Sequence, residues 1–411
     1  MTQGPAPDPA VAQRLATLFR AARQEQFLDV ISRAEAEARL RRHLDPRPSD
    51  VEMVRLGAAR GRVLAEDVQA PVDAPGFDRA SVDGFAVRAA DTAGATPEAP
   101  VTLRLNGEIL TPGVQPSLDV TRDAASVIAT GGMLPRGADA VVMVEDTEAH
   151  AGPAGALLVA VHRPAAPGRS VAAAGSDIAR GETVLRQGRL LTSREIAMLA
   201  AVGLVEVPVW RRPRVAILST GDEIVAPGMP IRPGQVYDSN AAVLVAATEE
   251  LGGEPVSLGI VPDDEAALAA ALDRALAVSD LVLLSGGTSK GAGDLAHRVV
   301  ARLADPGIIV HGVALKPGKP LCLAVTGGKL VAVLPGFPTS AMFTFHTFVA
   351  PVISRLAGRR TARQGHVTAT LPLRITSEPG RTEYVMVSLM QAPDGGLAAY
   401  PIAKGSGAVT S

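Results

Sequence analysis

The spacing of apolar residues divides the chain into regions with different predicted structures. Through residues 214–359, short and almost continuously apolar runs, such as 215–219, 256–261 and 281–284, alternate with segments of helical periodicity. Apolar strands separated by amphipathic helices are typical of a parallel sheet covered by helices on both faces. This region is therefore predicted to be an α/β domain.

Polar residues at the start of apolar segments predict where helices begin. Ser32, with a glutamate three residues later, has the spacing of a capping box and predicts a helix over 34–43. A second capped helix is predicted over 193–201. Within the α/β region, one helix is predicted to begin at Asp263 or Asp264.

Two other regions have the shorter periodicity of strands. Residues 70–181 carry many glycines and prolines, with alternating apolar and polar positions between turn signals, which predicts a β-rich module. Alternation returns from about residue 363 and predicts a small C-terminal β domain. Residues 1–26 are predicted to be disordered or to form an extra helix. The overall fold class is therefore α/β multidomain.

Charge and cysteine content argue against several classes of function. The formal net charge is −2 and the pI is about 6.4, without the basic excess typical of binding to nucleic acids or membrane surfaces. No apolar stretch approaches the ~20 residues of a membrane helix, and no signal peptide is visible, so we expect a cytoplasmic protein. The single cysteine, Cys322, excludes an internal disulfide. Its apolar neighbours predict a buried, unreactive thiol.

The residues that follow each predicted strand are candidates for a binding site, because ligands of open α/β sheets bind beyond the carboxyl ends of the strands. All five such segments carry glycine, hydroxyl groups or charged side chains, so we expect one polar edge of the sheet. In chain order they are Ser219-Thr220-Gly221-Asp222-Glu223, Pro262-Asp263-Asp264, Ser285-Gly286-Gly287-Thr288-Ser289 with Asp294, Lys316-Pro317-Gly318-Lys319, and Pro335-Gly336-Phe337-Pro338.

The residue types in these segments favour an anionic ligand held together with a divalent cation. Glycine-rich turns present backbone N–H groups to phosphate, and Lys316 and Lys319 add positive charge. The carboxylates of Asp263 and Asp294 would repel the anion directly, so we expect Mg²⁺ between them and the ligand. Each feature alone has a simpler explanation, because either aspartate could cap a helix and the lysines could lie in an ordinary turn. The chain has neither a Walker loop nor a Gly-x-Gly-x-x-Gly segment before a helix.

The β-rich module contains polar clusters of its own. Residues 77–88 include Asp83 followed by glycine, a pair that also fits a plain hairpin turn. Thr130 and Asp177 lie in two further polar turns of the same module.

Taken together, these motifs resemble those of the molybdopterin molybdenumtransferase family, which includes the MoeA proteins and the gephyrin E domain. One motif alone would be weak, whereas the whole series in the family's order is specific. The resemblance extends from about residue 27 to the end of the chain. The matching segments are 75–88, 130–143, 175–178, 219–223, 237–240, 285–289 with Asp294, 316–320, and 334–338.

The resemblance implies an elongated homodimer, whose active cleft forms between the α/β domain of one subunit and the β-rich domain of the other. It also implies four domains: a segmented helical domain I over 27–69 and 182–212, a β-rich domain II over 70–181, an α/β domain III over 213–362, and a β domain IV over 363–411. Family members usually continue beyond the segment that matches the end of this chain, so we expect domain IV to be incomplete.

The resemblance further implies a reaction in which adenylylated molybdopterin and molybdate give molybdenum cofactor and AMP, with Mg²⁺ assisting cleavage of the phosphoanhydride. It implies that Asp294 and Asp263 hold the metal. The residues for which it implies catalytic roles are Asp83, Asp177, Glu223, Asp263, Asp294 and Lys316. The expected substrate-binding residues are Thr130, Ser219, Thr220, Gly221, Asp222, Ser285, Gly286, Gly287, Thr288, Ser289, Lys319, Pro335 and Pro338. Expected protein partners are molybdopterin adenylyltransferase and apo-molybdoenzymes or their chaperones, with no nucleic acid and no membrane.

Two positions depart from the pattern of the family. Some members carry a basic residue where this chain has Gly312, with His311 beside it, so that basic contact is in doubt here. The asparagine common in the Leu-Pro-Gly-x-Pro loop is Phe337, which is expected to narrow the pocket.

Other functions stay open at this point. A related α/β domain that stands alone adenylylates molybdopterin, but the inserted module with Asp83 and Asp177 argues against that activity. A non-catalytic molybdopterin-binding or scaffold protein would not need the acidic positions that this chain retains. A role in regulation or in tungstate handling is a further alternative, because tungstate and molybdate are both tetrahedral dianions of similar size.

Overall fold

The computed structural model describes residues 29–286, 292–360, 365–377, 379–393 and 395–402, with the backbone alone for 292–294. The prediction for residues 1–26 lies outside this part. The described chain forms two compact units, one of residues 53–209 and the other of residues 29–52 together with 210–402.

The described α-helices, in chain order, are α1 (Arg33–His43), α2 (Ser193–Ala201), α3 (Ser239–Glu250), α4 (Glu265–Val278), α5 (Ala292–Val300), α6 (Pro338–Thr344) and α7 (Ala350–Leu356). A π-helical turn, Phe345–Val349, joins α6 to α7. The described strands are β1 (Val51–Arg55), β2 (Val68–Gln69), β3 (Arg79–Ala80), β4 (Gly84–Val87), β5 (Val101–Leu110), β6 (Ala124–Ile128), β7 (Ala140–Met143), β8 (Thr147–Ala151), β9 (Leu157–Val161), β10 (Val171–Ala172), β11 (Thr183–Leu185), β12 (Glu206–Trp210), β13 (Arg214–Thr220), β14 (Ile224–Val225), β15 (Val236–Tyr237), β16 (Glu254–Val261), β17 (Leu281–Gly286), β18 (Pro306–His311), β19 (Leu315–Lys316), β20 (Cys322–Thr326), β21 (Lys329–Leu334), β22 (Thr382–Glu383), β23 (Val387–Gln391) and β24 (Leu397–Pro401).

The unit of residues 53–209 is built mainly of strands, as the short periodicity predicted. Its largest sheet has the strand order β7–β4–β6–β5–β9–β8. Apolar side chains from these strands, among them Phe85, Leu103, Val142 and Val159, form a core on one side of the sheet. Helix α2 belongs to a separate small core with β2, β11 and β12.

A network of hydrogen bonds holds the start of α2. The carboxylate of Glu195 is only 2% exposed and accepts a bond from the Thr192 hydroxyl. It also accepts from the Thr192 backbone N–H at 3.0 Å and from Arg189 Nε at 3.0 Å. The Thr192 hydroxyl and the Arg189 guanidinium lower the pKa of Glu195 to about 2. The reciprocal bonds between Thr192 and Glu195 form a capping box, which satisfies backbone N–H groups at the N-terminal end of the helix.

This network should make the unit's stability depend on pH. Because the folded pKa of Glu195 lies below its ordinary value of 4.5, its contribution is present above pH 4.5 and is lost as the pH falls toward 2. We expect Glu195→Gln to lower the free energy of unfolding by about 1–3 kcal/mol at pH 7, and by much less near pH 2. Urea titrations at the two pH values measure this difference. Glu206→Gln, in an exposed pair with Arg55, is the control, and an equal effect of both variants would contradict the prediction.

The other unit contains the predicted α/β domain, with the strand order β16–β13–β17–β21–β20–β18. The first four strands are parallel, whereas β20 runs antiparallel to both of its neighbours. Helices α1, α3, α6 and α7 cover one face of the sheet, and α4 and α5 cover the other. Buried apolar strands between two helical layers confirm the α/β prediction.

Local predictions at the helix starts and at the cysteine can be compared with the structure. Ser32 caps α1 by accepting a bond from the Glu35 backbone N–H at 3.1 Å, as predicted. The Glu35 side chain binds Arg39 instead of closing the predicted box. Cys322 is buried in β20, as predicted, and burial raises the pKa of its thiol to about 12, which disfavours the reactive thiolate.

The C-terminal part contains two short pairings. Strand β22 pairs in parallel with β19, and β23 pairs with β24 as an antiparallel hairpin. These strands agree with the predicted small β domain, whereas the boundaries predicted for all four domains stay predictions. Among the described helices, none has the length and apolarity that a membrane span requires.

Candidate active-site edge of the sheet

The carboxyl ends of five strands meet at one edge of the α/β sheet. These are β13, β16, β17 and β21, which are parallel, together with β18, which runs in the same direction because β20 reverses between them. The connection from β18 to β20 also lies at this edge. At about 4.8 Å between neighbouring strands, the row is roughly 20–25 Å long. The sheet therefore gathers the predicted segments in a row, with Asp263 and Lys316 toward its opposite ends.

Ser219 and Ser285 are register partners at the ends of β13 and β17. Both are buried, at 2% exposure each. Alternation along the strands points them to the face covered by α3, because Ile217 and Leu283 pack in the core on that side. Asn240, near the start of α3, donates from Nδ2 to Ser285 Oγ and to the Gly336 carbonyl, both at 2.9 Å. This amide therefore connects the end of β17 to the loop after β21.

Thr220 and Asp263 meet at the ends of β13 and β16. The Thr220 hydroxyl donates to Asp263 Oδ1 at 3.0 Å, and the Asp263 backbone N–H donates to Asp222 Oδ1 at 3.1 Å. Helix α4 is capped by Asp264, which accepts a bond from the Ala267 N–H at 2.7 Å. Asp263 is therefore not the helix cap, and the simpler explanation of this aspartate is wrong.

The glycine-rich loop after β17 begins at a close approach between two strands. Gly286 has φ +109°, and a Cβ there would lie 2.1 Å from the Thr220 carbonyl oxygen. Only glycine fits this position. The predicted ligands Gly287, Thr288 and Ser289, and the side chain of Asp294, lie outside the described residues, so their roles stay predictions.

The Lys316 ammonium lies 3.3 Å from Glu383 Oε1 in the C-terminal part. The parallel pairing of β19 with β22 places these two residues in register. The Tyr384 N–H donates to the Lys316 carbonyl at 2.8 Å and holds the pairing in place. The lysine predicted to attract an oxyanion is therefore already paired with a carboxylate.

The remaining predicted residues of the edge lie in its loops. The Glu223 carboxylate packs against Gly221, and the Lys319 carbonyl accepts a bond from the Val313 N–H at 2.9 Å. The loop that begins at Pro335 leads into α6, whose first residue is Pro338. Phe337 is 62% exposed, so its ring extends into solvent from the surface of the α/β unit.

Position 312 lies between two backbone segments. The Gly312 N–H donates to the Leu321 carbonyl, and the Gly312 carbonyl accepts from the Ile31 N–H. The neighbouring His311 ring stacks on His297 at 4.0 Å. Burial, with a contribution from His297, lowers the pKa of His311 and favours its neutral form at pH 7. A neutral imidazole would not supply the positive charge of the missing basic side chain.

In the other unit, Asp83 binds Thr130 twice. Asp83 Oδ1 accepts bonds from the Thr130 backbone N–H at 2.7 Å and from the Thr130 hydroxyl at 2.9 Å, which lower the pKa of Asp83. Strand β4 begins after Asp83 and pairs with β6 and β7, whereas β3 pairs with β10. The Asp83–Gly84 pair is therefore not a hairpin turn between β3 and β4.

Thr130→Val should raise the pKa of Asp83. The variant loses the hydroxyl donor but keeps the backbone donor, which is the larger cause of the shift. We therefore expect a pKa between the wild-type value and the ordinary one. Carbon-13 NMR titration of the carboxyl group measures it, with Thr147→Val as the control because its hydroxyl binds only a carbonyl. An unchanged pKa of Asp83 in Thr130→Val would refute this assignment.

Asp177 lies at the other end of the β3–β10 pairing. Its backbone N–H donates to the Ala74 carbonyl at 3.1 Å, and Gly175 N–H donates to the Pro75 carbonyl at 2.9 Å. Because β3 and β10 are antiparallel, the segments that follow them leave in opposite directions. The structure therefore brings Asp83 to Thr130 but does not bring Asp177 to this pair.

Two residues of the edge were missed as site residues. Asn240 lies in the matching segment 237–240, but the spacing of residues does not predict the contacts of its side-chain amide. Glu383 had no signal, because its partner Lys316 is distant in the chain. The edge combines glycine-rich loops, hydroxyls and carboxylates, a combination typical of α/β proteins that bind anionic, nucleotide-like ligands.

Comparisons with known proteins agree with this class and narrow it. Family models described as "MoeA N-terminal region (domain I and II)", "Probable molybdopterin binding domain" and "MoeA C-terminal region (domain IV)" match residues 31–203, 216–355 and 368–411. The chain belongs to the MoeA family of molybdopterin molybdenumtransferases, as its motifs predicted.

Individual relatives are similar over most of their length. "Molybdopterin molybdenumtransferase 2" of Mycobacterium tuberculosis is 38% identical over 335 residues, which cover 80% of this chain and 81% of that protein. A molybdopterin molybdenumtransferase of Nostoc is 38% identical over 312 residues, covering 75% and 70%. A crystal structure of a MoeA protein from Pyrococcus horikoshii has a TM-score of 0.78 at 38% identity, covering 93% and 92%. This likeness confirms the multidomain fold class.

Proposed function

We propose that this protein inserts molybdate into adenylylated molybdopterin and releases AMP. The observation that carries the proposal is the row of five polar strand ends at one edge of the α/β sheet. Its length of roughly 20–25 Å suits an extended substrate with a pterin at one end and a nucleotide at the other. Membership of the molybdopterin molybdenumtransferase family supports the same reaction.

The side chains along the edge are proposed to act at different points of this substrate. Thr220 and Asp222 hold Asp263 near the phosphoanhydride, where its carboxylate would help to hold the magnesium ion. Lys316, positioned by its ion pair with Glu383, attracts molybdate and stabilises negative charge. Glu223, Asp83 and Asp177 are proposed to take part in catalysis, with Thr130 fixing the carboxylate of Asp83.

The oxygen donors near Asp263 fit a magnesium ion. Asp263 Oδ2 accepts no hydrogen bond from the described part of the chain, and Asp222 and Thr220 add further oxygen atoms. Among the described residues, no group of three or more histidine, cysteine or acidic side chains is placed to hold a metal ion by itself. This suits Mg²⁺, which typically takes one or two carboxylates and fills its shell with water and substrate oxygens. Asp263, with Asp294, would hold the ion, which would neutralise charge on the phosphates.

Molybdate-dependent AMP release is the direct test. The purified protein is incubated with adenylylated molybdopterin and Mg²⁺, with and without molybdate, and with tungstate in parallel. We expect AMP to appear with molybdate and not without an oxyanion. AMP release that is independent of any oxyanion would overturn the proposal, and so would its absence under all conditions.

A second incubation, with molybdopterin and ATP, separates the proposed activity from adenylylation. Adenylylated product in that reaction would favour the adenylyltransferase alternative. Binding of the substrate without turnover would favour a non-catalytic role.

The homodimeric state, the cytoplasmic location and the protein partners named from the sequence are part of the proposal. Sedimentation equilibrium of the full chain tests the first of these. If the protein is a monomer at all concentrations, the proposed homodimer is wrong.

A further inference from the structure

Two buried polar atoms at the sheet edge have no hydrogen-bond partner in the described chain. They are Oδ1 of Asn240 and Oγ of Ser219, in residues that are 7% and 2% exposed. Buried polar atoms are nearly always paired, so each unpaired one calls for an explanation. One such explanation is that a ligand supplies the missing hydrogen-bond partner. Ser219 lies at the end of a strand and Asn240 lies beside the strand ends, where ligands of α/β sheets bind.

The orientation of the Asn240 amide is determined by its neighbours. One group that it contacts is the Gly336 carbonyl, at 2.9 Å. A carbonyl oxygen only accepts hydrogen bonds, so the amide atom that faces it must be Nδ2. The same nitrogen donates its second hydrogen to Ser285 Oγ. Oδ1 is therefore the atom left over, and it can only accept.

The described side chains that contact one another around these atoms are uncharged. Ser219 is the register partner of Ser285, and Asn240 binds Ser285, so the three side chains form one patch of two hydroxyls and an amide. We call Ser219, Asn240 and Ser285 the neutral patch. An acceptor oxygen repels the oxygens of phosphate or molybdate, whereas it pairs well with an N–H group. The patch thus suits an uncharged donor rather than an oxyanion.

We propose that the neutral patch binds the N–H-bearing edge of a fused heterocycle. Asn240 Oδ1 accepts from a ring or amino N–H, and the Ser219 hydroxyl bonds to a neighbouring ring atom. This proposal rests on the proposed function, because adenylylated molybdopterin contains two such heterocycles, the pterin and the adenine. The phosphates and molybdate then lie elsewhere along the edge.

Binding measurements with separate parts of the substrate test this assignment. Isothermal titration calorimetry would compare AMP, 6-hydroxymethylpterin and inorganic phosphate on the wild type, Asn240→Ala and Ser219→Ala. We expect both variants to bind one of the two heterocycles about tenfold more weakly, with phosphate binding unchanged. Which heterocycle responds identifies the ring that occupies the patch. In the full reaction, KM should rise by a similar factor while kcat stays the same.

Ser219→Ala is the more informative variant, because its hydroxyl has no hydrogen-bond partner in the described part of the chain. The melting temperature should therefore not fall, while heterocycle binding weakens. Thr248→Val is the matched control: it removes another buried, unpaired hydroxyl from α3, far along the helix from the patch. It should leave all binding constants unchanged.

Two results would overturn the proposal. One is heterocycle binding that is the same in the wild type and in Ser219→Ala. The other is weakening of phosphate binding by as much as heterocycle binding, which would mean that the patch only supports a phosphate loop. The test is separable from that of the function. If the wild type releases AMP but the variants bind the heterocycle as the wild type does, only the proposal for the neutral patch is refuted. If the variants bind the heterocycle more weakly but the wild type releases no AMP, only the proposed function is refuted.

Discussion

Asp263→Ala is expected to lower kcat/KM for molybdate-dependent AMP release by about 100- to 1000-fold. In the proposed mechanism this carboxylate faces the phosphoanhydride, and loss of a group that interacts with charge in the transition state has an effect of that order. Its bond to Asp222 uses the backbone N–H, which alanine keeps, and the bond from the Thr220 hydroxyl is the one that the variant loses, so the variant should fold. Steady-state kinetics on the purified variant measure the loss.

The neighbouring aspartate provides a matched control. Asp264 caps α4, so Asp264→Ala should lower the free energy of unfolding by about 1 kcal/mol and leave kcat/KM within about threefold of the wild type. The two variants remove the same chemical group from adjacent positions. Equal kinetic effects would show that Asp263 has no special role, and a stability loss confined to Asp263→Ala would show that the cap is wrongly assigned.

Gly286→Ala is expected to have the largest effect on stability, at about 3 kcal/mol or more. The residue has φ +109°, and the new Cβ would lie 2.1 Å from the Thr220 carbonyl oxygen. Neither β13 nor β17 can move away easily, because both are central in the sheet. We expect the urea midpoint of the variant to fall, and its AMP release to fall as well, because Gly286 opens the loop after β17.

Gly259→Ala separates the two causes of that loss. Gly259, in β16, also has a positive φ, +79°, but nothing lies within 4 Å of the position a Cβ would take. This variant should lose only about 1–2 kcal/mol, the ordinary cost of a left-handed conformation for a side chain. If the two alanine variants were equally stable, the close approach between β13 and β17 would have no energetic meaning.

The sequence was sufficient to predict the α/β sheet and its polar edge. Short apolar runs such as 281–284, separated by amphipathic helices, are typical of buried strands between helical layers, and parallel strands end at the same edge. Prediction of the loops therefore followed from prediction of the strands. Ser32 is a similar case, because a cap depends on residues that are neighbours in sequence.

Contacts between distant segments could not be predicted in this way. Asp263 and Asp264 are the same residue type at adjacent positions, and only the backbone of α4 decides which one caps the helix. The Asn240 amide reaches Ser285 and Gly336 because α3 packs beside the ends of β17 and β21. Periodicity gives the presence of a helix but not the direction in which one of its side chains points.

The pairing of β19 with β22 has a consequence for how the protein can be divided. A chain cut after residue 360 would retain every strand of the α/β sheet, but it would lose the carboxylate that neutralises Lys316 and the backbone that pairs beside it. The C-terminal part therefore contributes directly to the charge of the candidate active-site edge. A recombinant fragment, or a natural gene fusion that replaces this part, would carry a pocket with altered charge even if its sheet folded perfectly.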